Sequence, residues 1–280
     1  MAVKDRQVVL VTGASRGIGN TIAAFLAKRG HTVYGTSRSP GSKHRMMDEF
    51  FQLLSMDNSD VNSIEAVVST IMEKEGRIDL VVCNAGKTIY GAVENTPPSE
   101  GLQQIDVNFM GVARLITAVL PEMRKSRSGT ILVMSSMAGR IGLPYNAYYS
   151  ASKFALEGFI ESLRLELINS GIRIALIEPG SVRTGFNPNF AYFAGSSDDV
   201  HAKNSANVLR VIAGRAREGI NPILIARLVH RLMSRKELRA RYSAGLFHQK
   251  LALWLKTLFP SRVYENILLK YFKIAENREE

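Results

Sequence analysis

Val8-Val9-Leu10-Val11-Thr12-Gly13-Ala14-Ser15-Arg16-Gly17-Ile18-Gly19 is the stretch that decides the fold. Four branched apolar residues in succession have the length of a buried strand, and Gln7–Thr12 reads as one. Glycines at 13, 17 and 19 then let the chain turn sharply, and Ile18–Arg29 carries helical spacing up to Gly30, a natural helix stop. A strand that feeds a helix through such a turn gathers free N–H groups and the positive end of the helix at one point, which suits a phosphate. The spacing is G-x-x-x-G-x-G rather than the commoner G-x-G-x-x-G. A tight strand-to-helix turn also needs glycines, but at the first βα junction the pattern points to a dinucleotide. The expected contacts are Gly13, Ser15, Arg16, Gly17, Ile18 and Gly19.

Outward from that loop, strand-like and helix-like segments alternate. Thr32–Thr36, Leu53–Met56, Leu80–Cys83, Thr130–Met134 and Ile172–Ile177 have the length and apolarity of strands. Ser63–Glu75, Ile105–Lys125 and Ala151–Asn169 have helical periodicity. Such alternation predicts an α/β fold: a doubly wound parallel sheet of the Rossmann type with helices on both faces. After Gly185 the pattern changes. Asn187–Ser205 is polar with scattered aromatics, a helix starts at Pro222, and Phe247–Ile274 is apolar and basic by turns. One domain over 1–280 is expected, with a core over 5–185 and a lid plus C-terminal helical extension over 186–280.

The second strand identifies the cofactor more closely. An acid near its end would bind the ribose 2′-hydroxyl of NAD. Here the chain reads Thr36-Ser37-Arg38, with no acid. A carboxylate would repel a 2′-phosphate, whereas Arg38 can pair with it and Arg16 adds a second charge. Ser37 and Arg38 thus point to NADP(H).

Tyr149 and Lys153 lie four apart, on one helix face, near the start of the Ala151–Asn169 pattern. A phenol is a poor base at neutral pH, and a neighbouring ammonium stabilises its anion. A serine beyond the Thr130–Met134 strand stands at the sheet edge where ligands bind, and its hydroxyl could hold a substrate oxygen. Chemistry alone does not choose between Ser135 and Ser136. Tyr145 and Tyr148 are nearby decoys, but only Tyr149 has a lysine at i+4.

Taken together, Thr12–Gly19, Asp57, Asn84-Ala85-Gly86, Asn108, Ser136, Tyr149-x-x-x-Lys153 and Pro179-Gly180-Ser181-Val182-Arg183-Thr184 resemble, in order, the motifs of the short-chain dehydrogenase/reductases over roughly residues 5–185. The resemblance implies that Ser136, thirteen residues before Tyr149, is the catalytic serine, and that Asn108 supports Lys153 through a water relay. It also implies adenine contact by Asp57, ribose contact by Asn84, Ala85 and Gly86, and nicotinamide contact around Pro179, Gly180, Val182 and Thr184. Plain structural roles remain open for these: Asp57 could cap a helix, and Asn84, Gly86 and Pro179-Gly180 could simply turn the chain. A homo-oligomer, dimer or tetramer, is implied as well.

The stretch after Thr184 would then be a substrate lid, with Phe186, Phe190, Tyr192 and Phe193 either walling an apolar pocket or packing in the core. The tail, with Arg239-Ala240-Arg241-Tyr242, resembles the 17β-hydroxysteroid-dehydrogenase-like branch. That implies a hydrophobic carbonyl or alcohol substrate of steroid, retinoid or lipid type. The alternatives are a β-ketoacyl-type reductase and a non-catalytic NADP-binding regulator; the presence of Asn108, Ser136, Tyr149 and Lys153 together speaks against the regulator.

The 280 residues carry 36 Lys/Arg against 25 Asp/Glu, a formal net charge of +11. The excess concentrates in residues 191–280, with 16 basic against 8 acidic. A solvated basic surface is the plain reading, and nucleic acid is not expected without a recognition motif. Leu251, Leu253, Trp254, Leu255, Leu258 and Phe259, with Lys250 and Lys256 among them, admit a weak peripheral contact with membrane; packing over the substrate cleft or a neighbouring subunit is the preferred reading. Cys83 is the single cysteine, so no intrachain disulfide forms, and the five histidines show no ligand spacing, so no metal is expected. Val8–Val11 is too short for a signal-peptide core, which makes a cytoplasmic protein the expectation.

Overall fold

The computed structural model describes residues 6–39, 50–184, 191–193 and 201–274. Its centre is a seven-stranded sheet in the order β3-β2-β1-β4-β6-β7-β9, every neighbouring pair parallel. The strands are β1 (Val8–Val11), β2 (Thr32–Ser37), β3 (Gln52–Ser55), β4 (Leu80–Cys83), β6 (Gly129–Met134), β7 (Ile172–Pro179) and β9 (Arg241–Ala244). A separate parallel pair joins β5 (Ile89–Gly91) to β8 (Ala191–Phe193). The doubly wound α/β architecture is thus present, with the winding reversing between β1 and β4.

Both faces are covered, and β1 shows why its run is unbroken. Successive side chains of a strand point to opposite faces. Val8 and Leu10 join a core formed with α2 (Val61–Glu75), α4 (Gly111–Ser126) and α5 (Ala147–Glu166), through Ile64, Leu115 and Ile160 among others. Val9 and Val11 join the opposite core with α1 (Gly17–Ala27) and α7 (Pro222–Met233), through Ile22, Leu26, Ile225 and Val229. A strand buried on both faces carries no polar alternation.

The chain beyond residue 185 is not an appendage. It contributes α7 to one face of the sheet and β9 to its edge, so the expected division at 185 does not follow the packing. Helix α6 (Ala202–Glu218) replaces part of the expected irregular stretch, while Phe186, Phe190 and most of Asn187–Ser205 lie outside the described residues. Two further helices, α8 (Phe247–Leu258) and α9 (Ser261–Phe272), follow β9, and α3 (Pro98–Ile105) precedes a π-helical turn at Asp106–Met110. Among the described residues no helix is long and apolar enough to cross a membrane.

Candidate active site

The C-terminal ends of β1, β4, β6 and β7 lie along one edge of the parallel sheet, and Gly13–Gly19, Asn84–Gly86, Ser136 and Gly180–Thr184 follow them. After β1, Gly13 adopts φ +65° and Gly17 φ +60°, conformations that favour glycine. A Cβ on Gly13 would lie 2.9 Å from Ala85 Cα, and one on Gly19 would lie 2.5 Å from Asn84 Nδ2. Asn84 binds this turn directly: its Nδ2 donates to Thr12 O at 2.9 Å, and the backbone N–H groups of Asn84 and Ala85 both donate to Thr12 Oγ1 at 2.9 Å. The side chain of Asn84 is therefore a brace for the glycine turn. Helix α1 begins at Gly17 with no side-chain cap and no acid in its first turn, so nothing of its own neutralises the positive end. That cradle fits a pyrophosphate.

At the adenosine end, Arg38 is exposed just past β2 and close enough to Asp57 to help hold its carboxyl below the usual range. The larger cause is Ser59, whose N–H and Oγ donate to Asp57 Oδ1 at 2.9 and 2.6 Å. Asp57 thus caps the turn before α2, while Asp60 caps the helix itself. On the other side, Thr184 overhangs the loop: a Cβ on Gly17 would meet its side chain at 3.5 Å. Val182 bridges to Ile220 and packs into the α1/α7 core, so its position is set from two sides.

The structure separates the two serines and the three tyrosines. Ser135, at the end of β6, turns its hydroxyl to Glu157. Ser136 turns the other way, toward the Tyr149 phenol, and its hydroxyl donates to Pro179 O at 3.5 Å and accepts from Ala138 N at 3.1 Å. Tyr145 is taken by His201, at 3.1 Å from its hydroxyl, and Tyr148 packs on Gly101 of α3, where a Cβ would collide with its ring. Helix α5 starts at Ala147, earlier than expected, which places both Tyr149 and Lys153 within it.

Burial pushes the Tyr149 phenol above its ordinary value, with Ser136 acting against the shift. Lys153 Nζ lies 5.7 Å from the centroid of the Tyr149 ring and donates to Met134 O at 2.7 Å. Burial pushes its pKa down to about 8, and the charge of Glu157, one turn further along α5, acts in the opposite sense. Of the effects on the phenol, desolvation is the largest.

Asn108 sits in the π-helical turn, fully buried. It accepts from Lys87 N at 2.8 Å and donates to Lys87 O at 2.9 Å and to Ser152 Oγ at 3.1 Å. A π turn often marks a functional position, because it shifts one residue out of helical register.

Sequence reasoning missed several groups around this site. Tyr90 on β5 lies near Tyr149, is pushed up mainly by burial, and hydrogen-bonds the buried Asn146. Beneath Lys153, Arg241 of β9 pairs with Glu157 at 2.8 Å and with Glu178 at 3.7 Å, both carboxylates being buried. Ser243 donates to Glu178 at 2.6 Å. From α8, Gln249 Nε2 donates to Ser181 Oγ at 2.9 Å, and its Oε1 accepts from Ser181 N at 3.3 Å.

Comparison with known proteins agrees with the architecture. A family profile described as short chain dehydrogenase matches residues 7–192. A 3-ketodihydrosphingosine reductase of Bacteroides thetaiotaomicron is 36% identical over 270 residues, covering 96% of this chain and 98% of that one. Estradiol 17-beta-dehydrogenase 1 of Rattus norvegicus is 37% identical over 195 residues, 65% of this chain and 56% of that one. Among solved structures, a short-chain dehydrogenase from Streptomyces avermitilis superposes with a TM-score of 0.80 at 28% identity, covering 96% of this chain and 98% of that one.

Proposed function

The chain belongs to the short-chain dehydrogenase family, and from that membership we propose that it is an NADP(H)-dependent oxidoreductase interconverting a hydrophobic alcohol and its ketone or aldehyde. The observation that carries the reading is that Ser136 lies close enough to the Tyr149 phenol to act on its pKa, with Lys153 one turn along the same helix. NADPH, when bound, supplies the hydride. The chain's own residues then do three things. The Tyr149 hydroxyl donates its proton to the carbonyl oxygen, and the Ser136 hydroxyl holds that oxygen by a hydrogen bond. Lys153, with its charge supported by Glu157, favours the phenolate left behind. Asn108 fixes the backbone at Lys87 and Ser152 on the helix that carries both groups. In the oxidative direction the phenolate is the base.

The glycine cradle after β1 would hold the pyrophosphate, with Ser15, Arg16 and Ile18 around it. Arg38, with no acid at the end of β2, favours a 2′-phosphate. Asp57, Asn84, Ala85 and Gly86 would flank the adenosine and ribose, and Pro179, Gly180, Val182 and Thr184 the nicotinamide. For the substrate, one relative matched along nearly the whole chain is named for a keto-lipid, 3-ketodihydrosphingosine, which favours a lipid-like ketone over a compact one.

The test is loss of NADPH absorbance with 3-ketodihydrosphingosine, a steroid ketone, a β-ketoacyl thioester and a small ketone. Turnover is expected with the apolar ketones and is expected to vanish in Tyr149→Phe with NADPH binding retained, whereas Tyr148→Phe stays active. A dead Tyr148→Phe beside a live Tyr149→Phe would overturn the assignment. NADPH binding without turnover on any ketone would leave a non-catalytic binder as the reading.

A further inference from the structure

Helix α8 is apolar on two sides. Inward, Leu253 is buried and packs with Met137, Ile141 and Tyr264, so the helix rests on the segment that follows Ser136. Outward, Phe247, Leu251, Trp254 and Leu258 are 82, 43, 69 and 73% exposed. At 3.6 residues per turn these four positions fall within about 60° of the helix circumference, so they form one row. A single exposed leucine is ordinary; four large apolar side chains in line are a contact surface.

From this row and the charge around it we infer that α8 is a docking surface for an anionic lipid bilayer, lying flat on the headgroup layer. Helices α8 and α9 carry Lys250, Lys256, Arg262 and Lys270 against a single acid, Glu265. Lys250 stands on the flank of the row and is exposed, as are Arg262 and Lys270 on the neighbouring α9. A second copy of this chain would bring two such basic surfaces together, whereas acidic headgroups complement them. The residue types are those of an interfacial helix: Phe, Leu and Trp on one face with Lys beside them. With 12 residues α8 can lie on a bilayer and not span it. The inference does not depend on the identity of the substrate.

Trp254 is the chain's single tryptophan, so its emission reports on the row directly. The full-length protein is titrated with vesicles of phosphatidylglycerol and phosphatidylcholine in equal parts, and with phosphatidylcholine alone. Anionic vesicles are expected to shift the emission to the blue and to sediment the protein. Neutral vesicles, or high salt, weaken the partition at least about tenfold. The Leu251→Gln/Leu258→Gln double variant changes only exposed positions and is expected to keep its thermal transition and its NADPH affinity while losing the shift. No shift with anionic vesicles would overturn the inference, as would undiminished binding by the double variant. A blue shift that follows protein concentration without vesicles would show that a second copy covers the row.

Discussion

At the scale of single residues, the site is governed by which groups are desolvated and which charge faces them. Lys153 is an example with a measurable sign. Its folded-state pKa is depressed to about 8 from an ordinary 10.5. Between those values the unfolded chain binds the more protons, so this group's contribution makes stability rise with pH across that window. Cys83, raised to about 12 by burial, acts the other way above its ordinary value near 9. The comparison is therefore between the wild type and Lys153→Met: the difference between their thermal midpoints should change in the wild type's favour from about pH 8 to about pH 10. A constant difference would show that the ammonium keeps its ordinary affinity for protons. Arg38 gives the second test. Losing a charge-assisted contact costs about 1.5–3 kcal/mol, so Arg38→Ala should weaken NADPH about ten- to a hundredfold and hardly affect NADH. Equal losses for the two cofactors would remove Arg38 from the recognition of a 2′-phosphate.

At the scale of elements, what was legible in the sequence is what a local pattern can express. Strands β1, β4, β6 and β7 are unbroken apolar runs, and the glycines after β1 occur where the backbone needs them, so both could be read without coordinates. Tyr149 was separable from Tyr148 by its lysine at i+4. Strand β9, Arg-Tyr-Ser-Ala, has no strand signature; it is made a strand by its pairing with β7. The Glu157–Arg241 pair joins residues 84 apart, and nothing in either neighbourhood announces it. Gln249 was equally silent, a single polar residue in an apolar–basic stretch. Its hydrogen bonds to Ser181 tie α8 to the loop after β7. Gln249→Ala should therefore raise the KM for NADPH about two- to tenfold, the cost of one hydrogen bond at about 0.5–1.5 kcal/mol. A fall in thermal stability with an unchanged KM would mean that the helix packs on the loop without setting its geometry.

At the scale of the whole molecule, the last seventy residues divide into a part that completes the sheet and a part that covers it. Deleting 247–280 leaves β9 in place and uncovers Met137 and Ile141; the chain should stay folded and lose affinity for bulky ketones more than for small ones. Deleting 241–280 removes Arg241 from two buried carboxylates. Breaking a buried pair costs about 3–5 kcal/mol, a large part of an ordinary stability of about 5–15 kcal/mol, so this chain should fail to give a cooperative melt. If both truncations melt alike, β9 is dispensable. The late position of β9 also has a temporal side. From Pro179 at the end of β7, 65 more residues must be added to reach Ala244 at the end of β9. At about 5–20 residues per second, a ribosome needs roughly 3–13 s to make them. Through that interval the nascent chain holds six strands whose outer member, β7, is rich in isoleucine and leucine and has an open backbone edge. Each newly made copy thus passes through a window in which neighbouring polysomal chains compete for the place that Arg241 and its three successors will take, and crowded overexpression should find its inclusion bodies there.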